Sequence, residues 1–178
     1  MKITLKNIKY SAFASQDTHC FQATVYIDGV KLFTASNDGH GGCDSYDAIK
    51  GGVAPKLVFA RVAEVNNKLR ASLPWTQYKD GKFSAVPVDT EGAVPQDLEK
   101  IVCDLVNEWH REKEVKRIIK RNVLALNSDG ELVTFKLKVK NPTVAQVLAV
   151  CDQIERQGEH TVLNHLPVSQ IADHFKSD

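Results

Sequence analysis

Residues 20–36 read C-F-Q-A-T-V-Y-I-D-G-V-K-L-F-T-A-S. Phe21, Ala23, Val25 and Ile27 fall on every second position, the period of a strand with one buried face. Asp28-Gly29 then interrupts the run, and an Asp-Gly pair between alternating apolar segments is the strongest short-range hairpin signal. A two-residue turn at that point sets Val25 opposite Leu32 and Ile27 opposite Val30 on the side to be buried. Continued outward, the same register sets Phe21 opposite Ser36 and His19 opposite Asp38. The chain therefore opens with a hairpin, not with a strand-helix-strand unit.

Working outward, residues 2–13 carry two alternating sets, Ile3 with Leu5 and then Ile8 with Tyr10 and Ala12. The phase slips at Lys6-Asn7, which predicts one long strand with a bulge. A second hairpin is expected at V-L-A-L, N-S-D-G and E-L-V-T-F-K-L-K-V-K (123–140), with Val133, Phe135, Leu137 and Val139 on its inner face. Val58, Val62, Val65 and Leu69 share one helical face. Leu98, Ile101, Val102, Leu105, Val106 and Trp109 form a longer stripe on a helix expected from Pro95 to about Arg121, with Pro95 in its first turn. Thr143 caps a third helix carrying Val144, Val147, Leu148 and Cys151, ended by Gly158, and P-V-S-Q-I-A-D-H-F forms a short fourth. Residues 74–95, with three prolines and two glycines, read as loop with at most one strand near Phe83 to Val88. The expected class is α+β, a largely antiparallel sheet of two hairpins plus an N-terminal strand, packed by about three helices. A single domain over 1–178 is expected, with a subdivision at 74–95 into 1–73 and 96–178.

A chain of 178 residues with 43% apolar and 25% charged residues has enough apolar material for a core without metal or disulfide support. Its net charge of +1 gives no whole-molecule field for an acidic partner. Lysines break every apolar run at the N-terminus, and no stretch reaches bilayer-spanning length. The four cysteines, Cys20, Cys43, Cys103 and Cys151, contain no C-x-x-C pair. They read as reduced thiols of a cytoplasmic protein with no cofactor and no membrane partner.

The densest chemistry is S-N-D-G-H-G-G-C-D (36–44). A carboxylate beside an imidazole fixes its tautomer and raises its basicity, so His19 facing Asp38, with His40 and Cys43 in the same loop, makes a candidate binding site. Histidine with cysteine is also the ligand set of zinc or of a thiol nucleophile. Against metal, the spacing from His19-Cys20 to His40-x-x-Cys43 matches no zinc ribbon, and neighbouring strand residues point to opposite faces. The glycines equally serve as turn positions, and G-H-G-G lacks the G-K-[ST] of a phosphate loop.

A second constellation is basic. Lys113, Lys116, Arg117 and Lys120 recur at helical spacing, and Lys136, Lys138 and Lys140 alternate along the expected strand 136–140. Over 109–140 nine Lys/Arg stand against four Asp/Glu. That surface is a candidate phosphate-contacting face for nucleic acid. The structural alternative is a solvated helix face with i,i+4 pairs from Glu108 and Glu112. No aromatic residue interleaves with these lysines to stack on bases.

At T-H-C-F-Q-A-T-V-Y-I-D-G (18–29), S-N-D-G-H-G-G (36–42) and V-L-N-H-L-P (162–167) the chain resembles small proteins of unassigned activity carried by bacteria, phages and plasmids. The resemblance implies a prokaryotic cytoplasmic setting on a mobile element, where small proteins act by binding a host machine. With no catalytic signature in the sequence, the expected function is non-enzymatic: an accessory protein that binds a protein partner as an inhibitor or regulator. The alternatives are a small enzyme or ligand-binding protein centred on His19, Asp38, His40 and Cys43, and a nucleic-acid binder using helix 113–121 and strand 136–140.

Overall fold

The computed structural model describes residues 1–79 and 82–175. The fold is α+β with antiparallel sheets, in two compact units, Met1–Val106 and Asn107–Asp178. The boundary falls inside the longest helix, and residues 74–95 belong to the first unit.

The first unit is built on a four-stranded meander, β1 (Ile3–Tyr10), β2 (Phe21–Ile27), β3 (Val30–Asn37) and β4 (Ser45–Ala48), in that spatial order. The expected bulge in β1 is present: Lys6 pairs Thr24 but Lys9 pairs Gln22, with Asn7 in the left-handed region (φ 55°). Asp28 and Gly29 both have positive φ (49° and 81°), as a type I′ turn requires. Asp28 also ties down the N-terminus, its Oδ1 accepting from the Lys2 backbone N–H at 2.7 Å.

The hairpin register corrects the sequence expectation. Ile27 pairs Val30 and Tyr26 pairs Lys31, but Val25 then pairs Phe33, leaving Leu32 as an extra residue in β3. The cause lies in the adjacent apolar pair Leu32-Phe33. Strict alternation would bury one and expose the other, whereas the bulge buries both and leaves Val30 in solvent. Beyond it the ladder is one residue out of step with the simple register, so Phe21 faces Asn37 and not Ser36.

Against this sheet pack α1 (Val58–Ser72) and the first part of α2 (Leu98–Ile119). Val58, Val65 and Leu69 join Leu98, Val102, Val106, Phe33 and Val25 in one core. The α2 helix begins at Leu98 and not at Pro95. Asp97 Oδ1 accepts from the Lys100 N–H, and Asn66 Oδ1 on α1 accepts from the Leu98 N–H. Both bonds satisfy amides that a helix start leaves open.

Residues 74–95 hold a hairpin, where loop with at most one strand near Phe83 to Val88 was expected: β6 (Lys82–Val86) fits that strand, and β5 (Trp75–Lys79) pairs with it from Trp75↔Val86 to Lys79↔Lys82. The prolines that spoke against strands, Pro74, Pro87 and Pro95, all lie outside the ladder, where a missing N–H does no harm. The intervening Asp80 and Gly81 lie outside the described residues.

In the second unit, β7 (Asn122–Leu126) is flanked by β8 (Leu132–Lys136) and the two-residue β9 (Thr161–Val162). Its faces are covered by α3 (Val144–Gln157) on one core and by the C-terminal turns of α2 with α4 (Val168–Asp173) on another. Thr143 caps α3 and Gly158 (φ 74°) ends it, both as expected, and the structure adds Gln146, which completes a capping box with Thr143. The β8 strand is shorter than expected. It stops at Lys136 because its partner runs out: α2 ends just before Asn122, and the last tie is the Leu137 N–H to the Arg121 carbonyl. Lys138 and Lys140 therefore lie on no strand, and Val139 is exposed.

Candidate functional site

The glycine-rich loop is a hydrogen-bonded knot organised by Asn37. Asn37 Oδ1 accepts from Thr18 Oγ1 (2.7 Å) and from the Gly39 N–H (2.9 Å). Its Nδ2 donates to the Gly42 carbonyl and to Asp44 Oδ1. The Gly39 carbonyl in turn accepts from the backbone N–H groups of Gln16, Asp17 and Thr18. Gly39 is buried at φ +89°, and a Cβ there would meet the Ala14 carbonyl carbon and Cys20 Cβ, each at 2.9 Å. Two loops, 11–20 and 37–44, are thus locked face to face.

The four proposed site residues are distributed by this knot and not gathered by it. The one-residue shift in the hairpin breaks the row that would set His19 opposite Asp38. His19 Nδ1 lies 3.1 Å from the Tyr10 hydroxyl, its ring tilted against that of Tyr10. Asp38 Oδ1 accepts from the His40 backbone N–H, and the His40 ring faces Gln16 Oε1 at 3.3 Å. Cys43 is an exposed thiol. Among the described residues, the group of three with metal-ligand reach is Asp152, Glu155 and His165, all exposed, and it includes none of these four.

The polar anomaly of the loop is a residue that sequence analysis passed over. Asp44 Oδ2 and the Tyr46 hydroxyl are buried without a hydrogen-bond partner among the described residues. Burial pushes the Asp44 carboxyl from 3.8 up to about 6; the Asn37 amide opposes the shift, and the negative Glu99 and Asp97 add to it. Burial, followed by the Asp44 charge, pushes the Tyr46 phenol upward as well. Cys103 and Cys151 are likewise driven up, mainly by burial, which holds both thiols protonated and unreactive. An N-D-G-x-G-G-x-D spacing holds the only sequence hint, since the second aspartate closes on the first asparagine.

The raised Asp44 value has a consequence with a definite sign. The folded state takes up a proton between pH 3.8 and about 6 that the unfolded state does not. Asp44 therefore favours folding at low pH, and its contribution is lost as pH rises through about 6. Asp44→Asn is expected to flatten the pH–stability profile across that window and to raise the melting temperature at pH 7. Equal slopes for the two proteins in thermal melts from pH 4 to 7 would refute it.

The basic constellation is partly neutralised. Lys116 pairs Glu112 at 3.0 Å and Arg117 pairs Glu114 at 2.7 Å, while Lys113 lies over the Trp109 ring at 4.7 Å. Lys136, Lys138 and Lys140 are exposed, the last two on the bent segment that leads to Asn141. What this region does form is a groove of about 540 Å³ between the C-terminal end of α2 and the start of α3. No local signal marks the groove, because Val144 and Leu148 continue the apolar stripe of α3 by spacing, yet both are exposed.

No family model matches this chain, and neither a curated protein nor a solved structure matches it. No helix among the described residues is long and apolar enough to cross a membrane.

Proposed function

We propose that the chain is a non-enzymatic accessory protein that acts by binding a protein partner, as an inhibitor or regulator of a host system in the prokaryotic cytoplasm. The carrying observation is the β5–β6 hairpin. Its cross-strand pair Tyr78 and Phe83 meets in a tilted contact, 4.7 Å between ring centroids, while 62% and 76% exposed. Large aromatic rings left in water are enriched at protein interfaces, where burial by the partner recovers their apolar area. Among the described residues the hairpin forms a two-stranded sheet in which β6 pairs with β5 alone, so its outer edge is open for a polypeptide to lie against. What supports binding over catalysis is the polar chemistry of the 36–44 loop, whose Asn37, Asp38 and Gly39 groups are engaged within the knot itself.

The test compares wild type with Tyr78→Ser/Phe83→Ser as immobilised baits in bacterial lysate. The wild type is expected to capture a discrete protein, and the double variant at least about tenfold less of it, as for loss of hot-spot aromatics. Both side chains are exposed, so the melting temperature stays within about a degree or two. Equal capture by both baits, or none by either, would remove the proposal.

A further inference from the structure

We infer that the groove between the end of α2 and the first turns of α3 is the docking site for an amphipathic helical segment of a partner protein, one carrying carboxylates along the edge of its apolar stripe. The inference rests on the second unit alone and is independent of the hairpin.

Two features of α3 point to a docked segment. Val147, Cys151 and Ile154, at i, i+4 and i+7, are buried in their own core. Val144 and Leu148 form a second apolar pair at i, i+4 that is 76% and 42% exposed. The apolar band of α3 is thus wider than its own core covers, and the part left in water is a surface open to burial by a partner. Val144 and Leu148 line the groove together with Ile119 and Pro142, giving it an apolar floor. The capping box at Thr143 and Gln146 fixes the first turn of α3, so Val144 is presented without an ordering cost at binding.

The rim supplies the sign of the partner's charge. Lys116, Lys120 and Arg121 line the same groove. Lys116 is already paired with Glu112, and Arg121 Nη2 donates to Asn141 Oδ1 at 3.3 Å, which holds the guanidinium against the loop leading into α3. Lys120 has no hydrogen-bonding or ionic partner among the described residues. An apolar floor bounded by cations is complementary to an apolar stripe bounded by carboxylates, with i, i+3, i+4 and i+7 anchors in the groove. Nucleic acid fits less well, because the floor is aliphatic and offers bases nothing to stack on. A small amphiphile fits less well, because Val144 stands open to solvent and does not enclose a chain.

The test uses a labelled synthetic helix of about 15 residues, with leucines at the four anchor positions and glutamates on both flanks, followed by fluorescence anisotropy. A second peptide carries lysine at every glutamate. The glutamate peptide is expected to bind wild type, and to weaken at least about tenfold with Leu148→Asp and with Lys120→Glu. The lysine peptide is expected to bind wild type at least about tenfold more weakly and to recover on Lys120→Glu. Both substituted residues are exposed, and unchanged melting temperatures certify the fold. The inference is overturned if the two peptides bind alike or neither binds. It is equally overturned if dodecanoate occupies the groove, by sensitivity to Leu148→Asp, while the peptide does not. Binding of duplex DNA that falls steeply with salt and is lost with Lys120→Glu would hand the surface to nucleic acid instead.

Discussion

Replacing Gly39 with alanine is expected to destabilise the protein by at least about 3 kcal/mol, well above an ordinary surface change. Two penalties coincide there. The residue sits at φ +89°, where any side chain is strained, and a new Cβ would be driven into the Ala14 carbonyl and Cys20 Cβ. Neither obstacle is a flexible side-chain end, so the clash is relieved only by parting the loops 11–20 and 37–44. Parting them breaks the three bonds to the Gly39 carbonyl and the Thr18–Asn37 contact together. Chemical denaturation measures the loss directly. Gly42 is the internal control: a Cβ there meets nothing within 4 Å, so Gly42→Ala carries only the φ penalty. A Gly39 variant no worse than its Gly42 counterpart would show that the loops are not locked as described.

Phe33→Ala should cost roughly 3–5 kcal/mol, the range for removing a fully buried aromatic ring. Phe33 is completely enclosed, and its ring meets Tyr46 edge-on at 5.5 Å between centroids. It also sits where the β3 bulge turns the strand, so its loss removes the reason for the bulge. Val30→Ala, on the same strand but exposed, is expected to change stability by less than about half a kcal/mol. If the unbulged register with Leu32 opposite Val25 were correct, the ranking of these two variants would invert. Equilibrium unfolding of the pair therefore reads the register without a further structure.

The class of the fold was legible because its signals are local. Asp28-Gly29 is a turn by the backbone preferences of two residues, Thr143 is a cap by residue type, and Gly158 is a stop by its tolerance of positive φ. What was not legible depends on neighbours distant in sequence. Leu32-Phe33 violates alternation, and only a core large enough for both decides in favour of a bulge. Pro74, Pro87 and Pro95 look like strand breakers until a ladder is seen to run between them. Lys138 and Lys140 continue an alternating pattern past the point where β7 can offer a partner. The candidate site suffered most from the first of these. One extra residue in β3 was enough to dissolve the His19–Asp38 row, while Asp44, whose chemistry comes from burial and from Glu99 and Asp97, is marked locally by no more than its spacing from Asn37.

The side chain of Asn164 bonds to the backbone of β7 just beyond the end of β9. It accepts from the Leu124 N–H at 2.7 Å and donates to the Asn122 carbonyl at 3.0 Å, beside the Leu163 N–H to Leu124 carbonyl bond. Thus β9 needs only two residues of true ladder, because an amide side chain imitates the next stretch of backbone. The strand it shields, N-V-L-A-L, is uncharged and apolar from Val123 onward, and a bare strand edge leaves backbone N–H and C=O groups open to pairing with another chain. Asn164 thus occupies, with a single carboxamide, two backbone groups on that edge of β7 that the short β9 ladder does not reach.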